Sequence, residues 1–134
     1  MKNKKRIEFD SIGPKKIDVN KLWGAQTQRS VENFKIGKEK IPVELIIALG
    51  QQKKAAAEAN IELGVLDKKL GSLISRACNH IINLKLIDEF PLVIWQTGSG
   101  TQTNMNANEV ISNYIIKKVG GKIGSKKPIH PNDH

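Results

Sequence analysis

An apolar stripe over residues 70–84 is the sequence feature that most restricts how this chain can fold. Its members recur at helical spacing on one side of a helix: Leu70, Leu73, Ile74, Ala77, Ile81 and Leu84. Asp67 comes just before the stripe and is a residue type that caps helix N-termini. A helix with one apolar face must bury that face against other elements of the same domain. The chain therefore has to supply partner helices or a sheet.

Two further stretches predict those partners. Pro42 opens a second helical pattern, which Gly64 ends. A third helix is predicted from about Thr103 to Val119, where the glycine pair at 120–121 terminates it. Residues 41–121 are thus expected to form three helices, and the fold class is expected to be all-α, that is, mainly helical.

The two ends of the chain lack this periodicity. Residues 1–40 contain glycines at 13, 24 and 37, and we expect an extended arm with short turns and a brief helix around Thr27 to Phe34. Such an arm gains little by folding alone and is expected to lie along another surface. Residues 122–134 are expected to be a loop. Together, residues 1–134 form one domain at most.

The net charge of +9 raises the possibility of nucleic-acid binding. Of 22 basic residues, only Arg6, Arg29 and Arg76 are arginine, the side chain that grips phosphate and reads guanine. The lysines form scattered pairs without aromatic neighbours: Lys4-Lys5, Lys15-Lys16, Lys53-Lys54, Lys68-Lys69, Lys117-Lys118 and Lys126-Lys127. We interpret them as solvated faces that aid solubility, and nucleic-acid binding as the least favoured alternative.

The compartment is predicted from the cysteine content and the N-terminus. Cys78 is the only cysteine, so the chain forms no internal disulfide, and its place beside the apolar stripe indicates a small buried hydrophobe. The N-terminus has no apolar stretch after its charges, and nothing approaches a membrane span. We expect a cytoplasmic protein that does not bind membranes.

The segment from Trp95 to Glu109 carries the chemistry. Gly98 and Gly100 allow a tight turn, Ser99 and Thr101 add hydroxyls, and the third predicted helix follows at once. Unpaired amides and the positive end of the helix dipole favour an anion there. Because the segment contains no lysine or arginine, a small carboxylate fits better than a triphosphate. A glycine turn with simple capping residues is the alternative.

Four blocks together resemble the class II fumarate hydratases. They are residues 22–30 (LWGAQTQRS), 88–91 (DEFP), 94–109 (IWQTGSGTQTNMNANE) and 130–133 (HPND). Aspartases of the same superfamily share residues 104–109 of the third block (NMNANE), but residues 23–28 (WGAQTQ) and 95–101 (WQTGSGT) look like fumarase rather than aspartase. The likeness covers the chain from about residue 8 onward.

The resemblance implies reversible addition of water to fumarate to give (S)-malate, in a homotetramer without metal or organic cofactor. It implies that Ser99, Gly100 and Thr101 contact a substrate carboxylate. It also implies a second, non-catalytic dicarboxylate site, formed by His130, Pro131, Asn132 and Asp133. The family usually has an arginine shortly before that histidine, and Lys127 occupies its place here.

The family continues for several times this length, and its catalytic base and central helices come later. The resemblance therefore implies that no catalytic residue lies in this chain, that the bundle and C-terminal domains are absent, and that the 134 residues alone are inactive. Two alternatives remain: another fumarate-releasing lyase of the aspartase type, and a non-catalytic fragment that binds a dicarboxylate or docks on a full-length lyase.

Other polar residues are weaker candidates for a functional site. His130, Asp133 and His134 lie in a loop and offer only three candidate ligands, so we expect no structural metal. Arg29 could orient carboxylates or form a surface ion pair. Glu109 could be an acid–base group, but a place in the first turn of a helix would favour balancing the dipole or pairing with a neighbouring element. His80 is expected at the edge of the apolar stripe.

Overall fold

The computed structural model describes residues 4–134. Its elements, in chain order, are β1 (Lys5–Asp10), β2 (Gly13–Asp18), α1 (Ala25–Asn33), α2 (Val43–Glu62), α3 (Lys68–Ile82), a single 3-10 turn (Ile87–Glu89) and α4 (Thr101–Lys118). The prediction of a mainly helical fold is confirmed. None of the helices in this described part is long and apolar enough to cross a membrane.

The core lies where α2, α3 and α4 meet. It is mainly aliphatic, and its large buried members on these three helices include Ile46, Ile74, Ile81, Val110, Ile115 and Ile116. Branched and small side chains fill this space because the chain has few aromatic residues. The helix α4 supplies three of these six residues, and so forms the centre of the domain.

The helix boundaries follow local capping chemistry. The Asp67 carboxylate accepts a hydrogen bond from the amide of Leu70 at 3.0 Å and caps α3. Gly64, with φ of +72°, ends the turn after α2. The third predicted helix, α4, begins at Thr101 rather than Thr103. Leu84, which the stripe includes, lies beyond the end of α3 with φ of +60°.

The arm contains a β-hairpin that the sequence did not predict. β1 and β2 are antiparallel, with Lys5 opposite Asp18 and Asp10 opposite Gly13. Charged residues of β1, not apolar ones, face the domain: the Glu8 side chain is 5% exposed, whereas Phe9 is 60% exposed. This inverted pattern hides the strand from an analysis that looks for apolar residues on the buried face.

A short backbone strap joins the arm to the segment before α4. Lys40 and Val93 form an isolated antiparallel bridge, and the amide of Ile94 donates to the carbonyl of Glu39 at 2.9 Å. The strap fixes the position at which the chain enters residues 96–100, the loop that precedes α4.

Candidate functional site

The glycine loop, residues 96–100, runs directly into α4. Gly100 has φ of +74°, a left-handed conformation that favours glycine, and it is the N-cap residue of the helix. Ser99, Gly100 and Thr101 are all exposed. The three residues predicted to contact a carboxylate therefore form one continuous, accessible turn at a helix N-terminus.

This helix N-terminus is open. In the part of the chain that the structure describes, no side chain caps it, and its first amide has one long contact, 3.5 Å from the nitrogen of Thr101 to the Ser99 hydroxyl. Within residues 4–134, no side chain accepts from the amides of Gln102 or Thr103. Donors in this arrangement attract an anion, because they lack an internal partner and lie at the positive end of the dipole.

Side chains behind the loop hold it in place. The Gln96 amide donates to the carbonyl of Val93 at 3.0 Å and to the Thr103 hydroxyl at 3.2 Å. The Trp95 indole donates to the Glu39 carboxylate at 3.2 Å and helps to lower the pKa of that group. The loop is thus anchored on its inner side, whereas among the described residues its exposed hydroxyls make only the local contact between Thr97 and Ser99 at 3.3 Å and the long one from the amide of Thr101.

Lys53 is a residue of this region that the sequence analysis missed. Its ammonium donates to the side-chain oxygen of Asn104, in the first turn of α4, at 2.7 Å, and burial lowers its pKa. Interpreting every lysine pair as solvated was wrong here. The helical spacing could have indicated that Lys53 is partly buried, because Lys53 falls on the same face of α2 as the buried residues Ile46, Gly50 and Ala57.

The second predicted cluster is a compact loop at residues 130–134. The His130 ring nitrogen Nδ1 accepts from the amide of Asn132 at 3.0 Å and lies 3.6 Å from the Asp133 carboxylate. The amide of His130 donates to Nδ1 of His134 at 2.9 Å. The Ser112 hydroxyl of α4 ties the loop to the core through the carbonyl of Ile129 at 3.0 Å.

A cavity of about 200 Å³ lies between this loop, α2 and α4. His130, Pro131 and Asn132 line it, whereas Asp133 does not. Lys127 does not line it either; the cation on its wall is Lys53.

The two predicted clusters are not brought into one pocket. Ser112 lies eleven residues after Thr101 on α4, which corresponds to about 16 Å along the helix axis. Both clusters therefore lie along the same helix without sharing a cavity.

Glu109 lies two turns inside α4, so its expected place in the first turn was wrong. Its carboxylate accepts from the amides of Gln26 and Thr27 at 3.1 and 2.8 Å, and from the Thr27 hydroxyl at 2.6 Å. Burial raises its pKa despite these bonds. Glu109 thus balances the dipole of α1 rather than that of its own helix.

Arg29 forms a two-pronged ion pair with Asp10, at 2.7 and 2.9 Å, and also donates to the carbonyl of Gly13. The guanidinium lowers the pKa of Asp10 to about 2. Of the two interpretations of Arg29, the structure shows the ion pair, which fastens the hairpin turn to α1.

The remaining candidate functional residues either pack inside the domain or do not gather into a cluster. Burial raises the pKa of the Cys78 thiol to about 11, so its reactive thiolate is scarce at neutral pH. The His80 ring packs against Tyr114 with centroids 5.0 Å apart. Across residues 4–134, no group of three or more histidine, cysteine or acidic side chains gathers as metal ligands would.

Comparison with known proteins identifies the family. The model of a family described as lyase matches residues 13–134. The class II fumarate hydratase of Brucella suis biovar 1 (strain 1330) is 60% identical over 129 residues, covering 96% of this chain. The mitochondrial fumarate hydratase of Mus musculus is 57% identical and covers 98% of the chain. The resemblance inferred from the four blocks is confirmed.

Solved structures agree with the sequence comparison. The crystal structure of a recombinant class II fumarase from Schistosoma mansoni matches 98% of this chain with a TM-score of 0.93 and 41% sequence identity. The chain spans about 28% of the length of the Brucella relative, 26% of the mouse protein and 28% of the Schistosoma chain.

Proposed function

We propose, for a chain that belongs to the lyase family, that its complete gene product is a fumarate hydratase that reversibly converts fumarate to (S)-malate. In this proposal the chain supplies groups that bind carboxylates, and the catalytic base lies outside it. The high identity to proteins named fumarate hydratase supports the proposal.

The open N-terminus of α4 is the observation that carries the proposal. Ser99 and Thr101 present hydroxyls on an exposed turn, and the amides that follow have no side-chain acceptor within the described residues. Directed neutral donors suit a small carboxylate, whereas a polyphosphate usually also recruits a lysine within the loop. One end of a C4 diacid fits this turn.

The reaction explains why donors are needed there. In the direction from malate, a base outside this chain removes a proton from the carbon beside one carboxylate, and that carboxylate takes up the negative charge. The electron pair then forms the carbon–carbon double bond as the hydroxyl group on the neighbouring carbon is protonated by a general acid and leaves as water. Donors fixed at the carboxylate stabilise this charge more strongly than they stabilise the ground state. Ser99, Gly100 and Thr101 would act as such donors or keep the backbone close to the substrate.

A second dicarboxylate site is proposed at the loop of His130, Pro131, Asn132 and Asp133. Three of these residues line the cavity of about 200 Å³, and Asp133 contacts the His130 ring. Lys53 on the cavity wall provides the positive charge that Lys127, which lies outside the cavity, does not.

We further propose a cytoplasmic homotetramer that needs no cofactor. Support for self-association comes from apolar side chains on the hairpin surface, where Phe9 is 60% exposed and Ile12 is 77% exposed. Apolar surface of this kind commonly marks an interface.

The experiment that tests the function follows the ultraviolet absorbance of fumarate with the complete gene product. Replacing both Ser99 and Thr101 by alanine is expected to lower kcat by about 10²-fold, the usual cost of losing transition-state hydrogen-bond donors. Ser72→Ala, an exposed serine on α3, is the matched control and should retain activity. An unchanged rate in the double variant would refute the assignment of the turn.

Two other functions are separated by related measurements. An aspartase-type lyase would release fumarate from L-aspartate but not from malate, and the shared Asn-Met-Asn-Ala-Asn-Glu motif of residues 104–109 favours testing it. A docking fragment would co-assemble with a full-length lyase without turnover of its own. The purified 134-residue chain is expected to be inactive, and turnover at an enzyme-like rate would show that it holds a base.

A further inference from the structure

A further cavity opens between α3 and the C-terminal half of α4, away from both candidate carboxylate sites. Its volume of about 460 Å³ is within the range of sites for small organic molecules. Tyr114, on its wall, is thirteen residues after Thr101, or about 20 Å along the helix axis. The cavity is therefore separate from the glycine loop.

The polar lining of this cavity lacks partners. Five side chains supply it: Arg76, Asn79, His80, Tyr114 and Lys118. Within residues 4–134, none of the five makes a side-chain hydrogen bond or a salt bridge. Their contacts are the packing of the His80 ring on Tyr114 and the Lys118 ammonium 5.6 Å from the centre of the Tyr114 ring. The donors are thus available to a ligand.

The charge of the lining favours an anion. Arg76 and Lys118 are permanent cations, His80 adds an imidazole, and no acidic residue lines the cavity. His80 and Lys118 lie in the last turns of their helices, where cations are favourable in any case. Each helix end contributes only about half a negative charge, so the two permanent cations still leave an excess of positive charge.

The floor of the cavity is apolar. Leu73 and Ile115 contribute aliphatic surface, and the Tyr114 ring forms part of the wall. An anion that consisted only of oxygen atoms would leave this surface unused. We propose that the cavity binds a small organic phosphate ester, with the phosphate at Arg76 and Lys118 and the organic group against Tyr114 and the apolar floor.

Phenyl phosphate is a suitable probe because it combines a dianion with one aromatic ring. The complete gene product is titrated by calorimetry in saturating malate, so that the candidate dicarboxylate sites are occupied, with inorganic phosphate and phenol as separate arms. We expect saturable binding of phenyl phosphate, weaker binding of inorganic phosphate and none of phenol. Phenol binding as tightly as phenyl phosphate would overturn the proposal, as would the absence of saturable binding of phenyl phosphate.

Variants that each remove one positive charge locate the binding site. Arg76→Gln and Lys118→Gln are each expected to weaken phenyl phosphate binding by about tenfold or more, since each removes a charge-assisted hydrogen bond. Lys117→Gln is the control, because Lys117 is exposed on the same turn of α4 but does not line the cavity. Circular dichroism confirms that each variant is folded. Equal weakening by Lys117→Gln would show general electrostatic attraction and overturn the proposal.

Discussion

The N-termini of α1 and α4 both present backbone amides to an acceptor, but within the described chain only the N-terminus of α1 is bonded to a carboxylate. At α1, the Glu109 carboxylate occupies the terminus and accepts from the amides of Gln26 and Thr27. At α4, no side-chain carboxylate within residues 4–134 accepts from the first amides, and Ser99, Gly100 and Thr101 are exposed. The protein thus shows how a carboxylate fills a helix terminus in one place, and leaves a similar terminus free in the other.

The difference separates the structural role of the α1 terminus from the binding role proposed for the α4 terminus. The carboxylate at α1 comes from α4 itself, so it fastens the arm to the core permanently. The terminus of α4 can accept only a carboxylate that arrives from outside the described residues.

Glu109→Ala should have the largest effect. It leaves two backbone amides and the Thr27 hydroxyl without a buried acceptor, so the free energy of unfolding should fall by about 3 kcal/mol. Urea denaturation followed by circular dichroism measures the loss. Glu109→Gln retains one acceptor oxygen, so its free energy of unfolding should lie between those of the unsubstituted protein and Glu109→Ala. Glu62→Ala, at the exposed end of α2, should change the free energy of unfolding little. A loss below about 1 kcal/mol would mean that the terminus of α1 does not depend on this carboxylate.

Ser99→Asp converts the open terminus of α4 into a closed one. The new carboxylate can cap the first turn and should raise the free energy of unfolding by about 0.5–1 kcal/mol. Under the proposed function, the same substitution in the complete gene product should lower kcat/KM for fumarate by about 10²-fold, because the new carboxylate occupies and repels the proposed site of a substrate carboxylate. Ser99→Asn, a neutral cap of the same shape, separates the charge from the capping. Full activity in Ser99→Asp would contradict the binding role.

The ion pair between Asp10 and Arg29 should give the arm a pH dependence. The pKa of Asp10 is lowered from 3.8 to about 2. Its stabilising contribution is therefore fully present above pH 3.8 and is lost as the pH falls toward 2. The contribution at neutral pH should be about 2 kcal/mol, and Asp10→Asn should remove it. Unfolding curves of both proteins between pH 7 and 2 should converge at the acid end; a constant gap would exclude this linkage.

The smallest expected effect concerns the contact between Lys53 and the first turn of α4. Lys53→Met removes the bond to Asn104 while it keeps the length of the side chain, and should lower the free energy of unfolding by about 1 kcal/mol. Lys54→Met is the matched control, because Lys54 forms only a partly exposed pair with Glu58 at 3.9 Å. If both variants behave alike, the bond to Asn104 does not hold the turn.

The sequence predicted the elements whose apolar face and caps agree. The stripe on α3 and the Asp67 cap reinforce each other, so that helix was placed to within two residues at its C-terminus. The glycine loop was recognised because Gly98 and Gly100 adjoin a helical pattern. Local information was sufficient in both cases.

Features that depend on partners distant in sequence were missed. The hairpin carries Glu8 toward the core, where it bonds to Asn113, more than one hundred residues away. Lys53 resembled a surface lysine because its partner, Asn104, lies on another helix. Glu109 was expected either to balance the helix dipole or to pair with a neighbouring element, and only the structure shows that its partner is α1. In each case a specific hydrogen bond satisfies a polar side chain away from solvent, and the hydrophobic periodicity of the sequence does not reveal such a bond.

The many attachments along α4 restrict the length of this helix. Along this one helix, the glycine loop precedes Thr101, Glu109 faces α1, Ser112 holds the loop before His130, and Asn113 faces the hairpin. Inserting a single residue between Glu109 and Ser112 would rotate the attachments on one side of the insertion by about 100° relative to those on the other and shift them by about 1.5 Å. No rotation of the whole helix could then restore both sets together. A single substitution in α4 removes one of these attachments, whereas an insertion or deletion between them would break several at once.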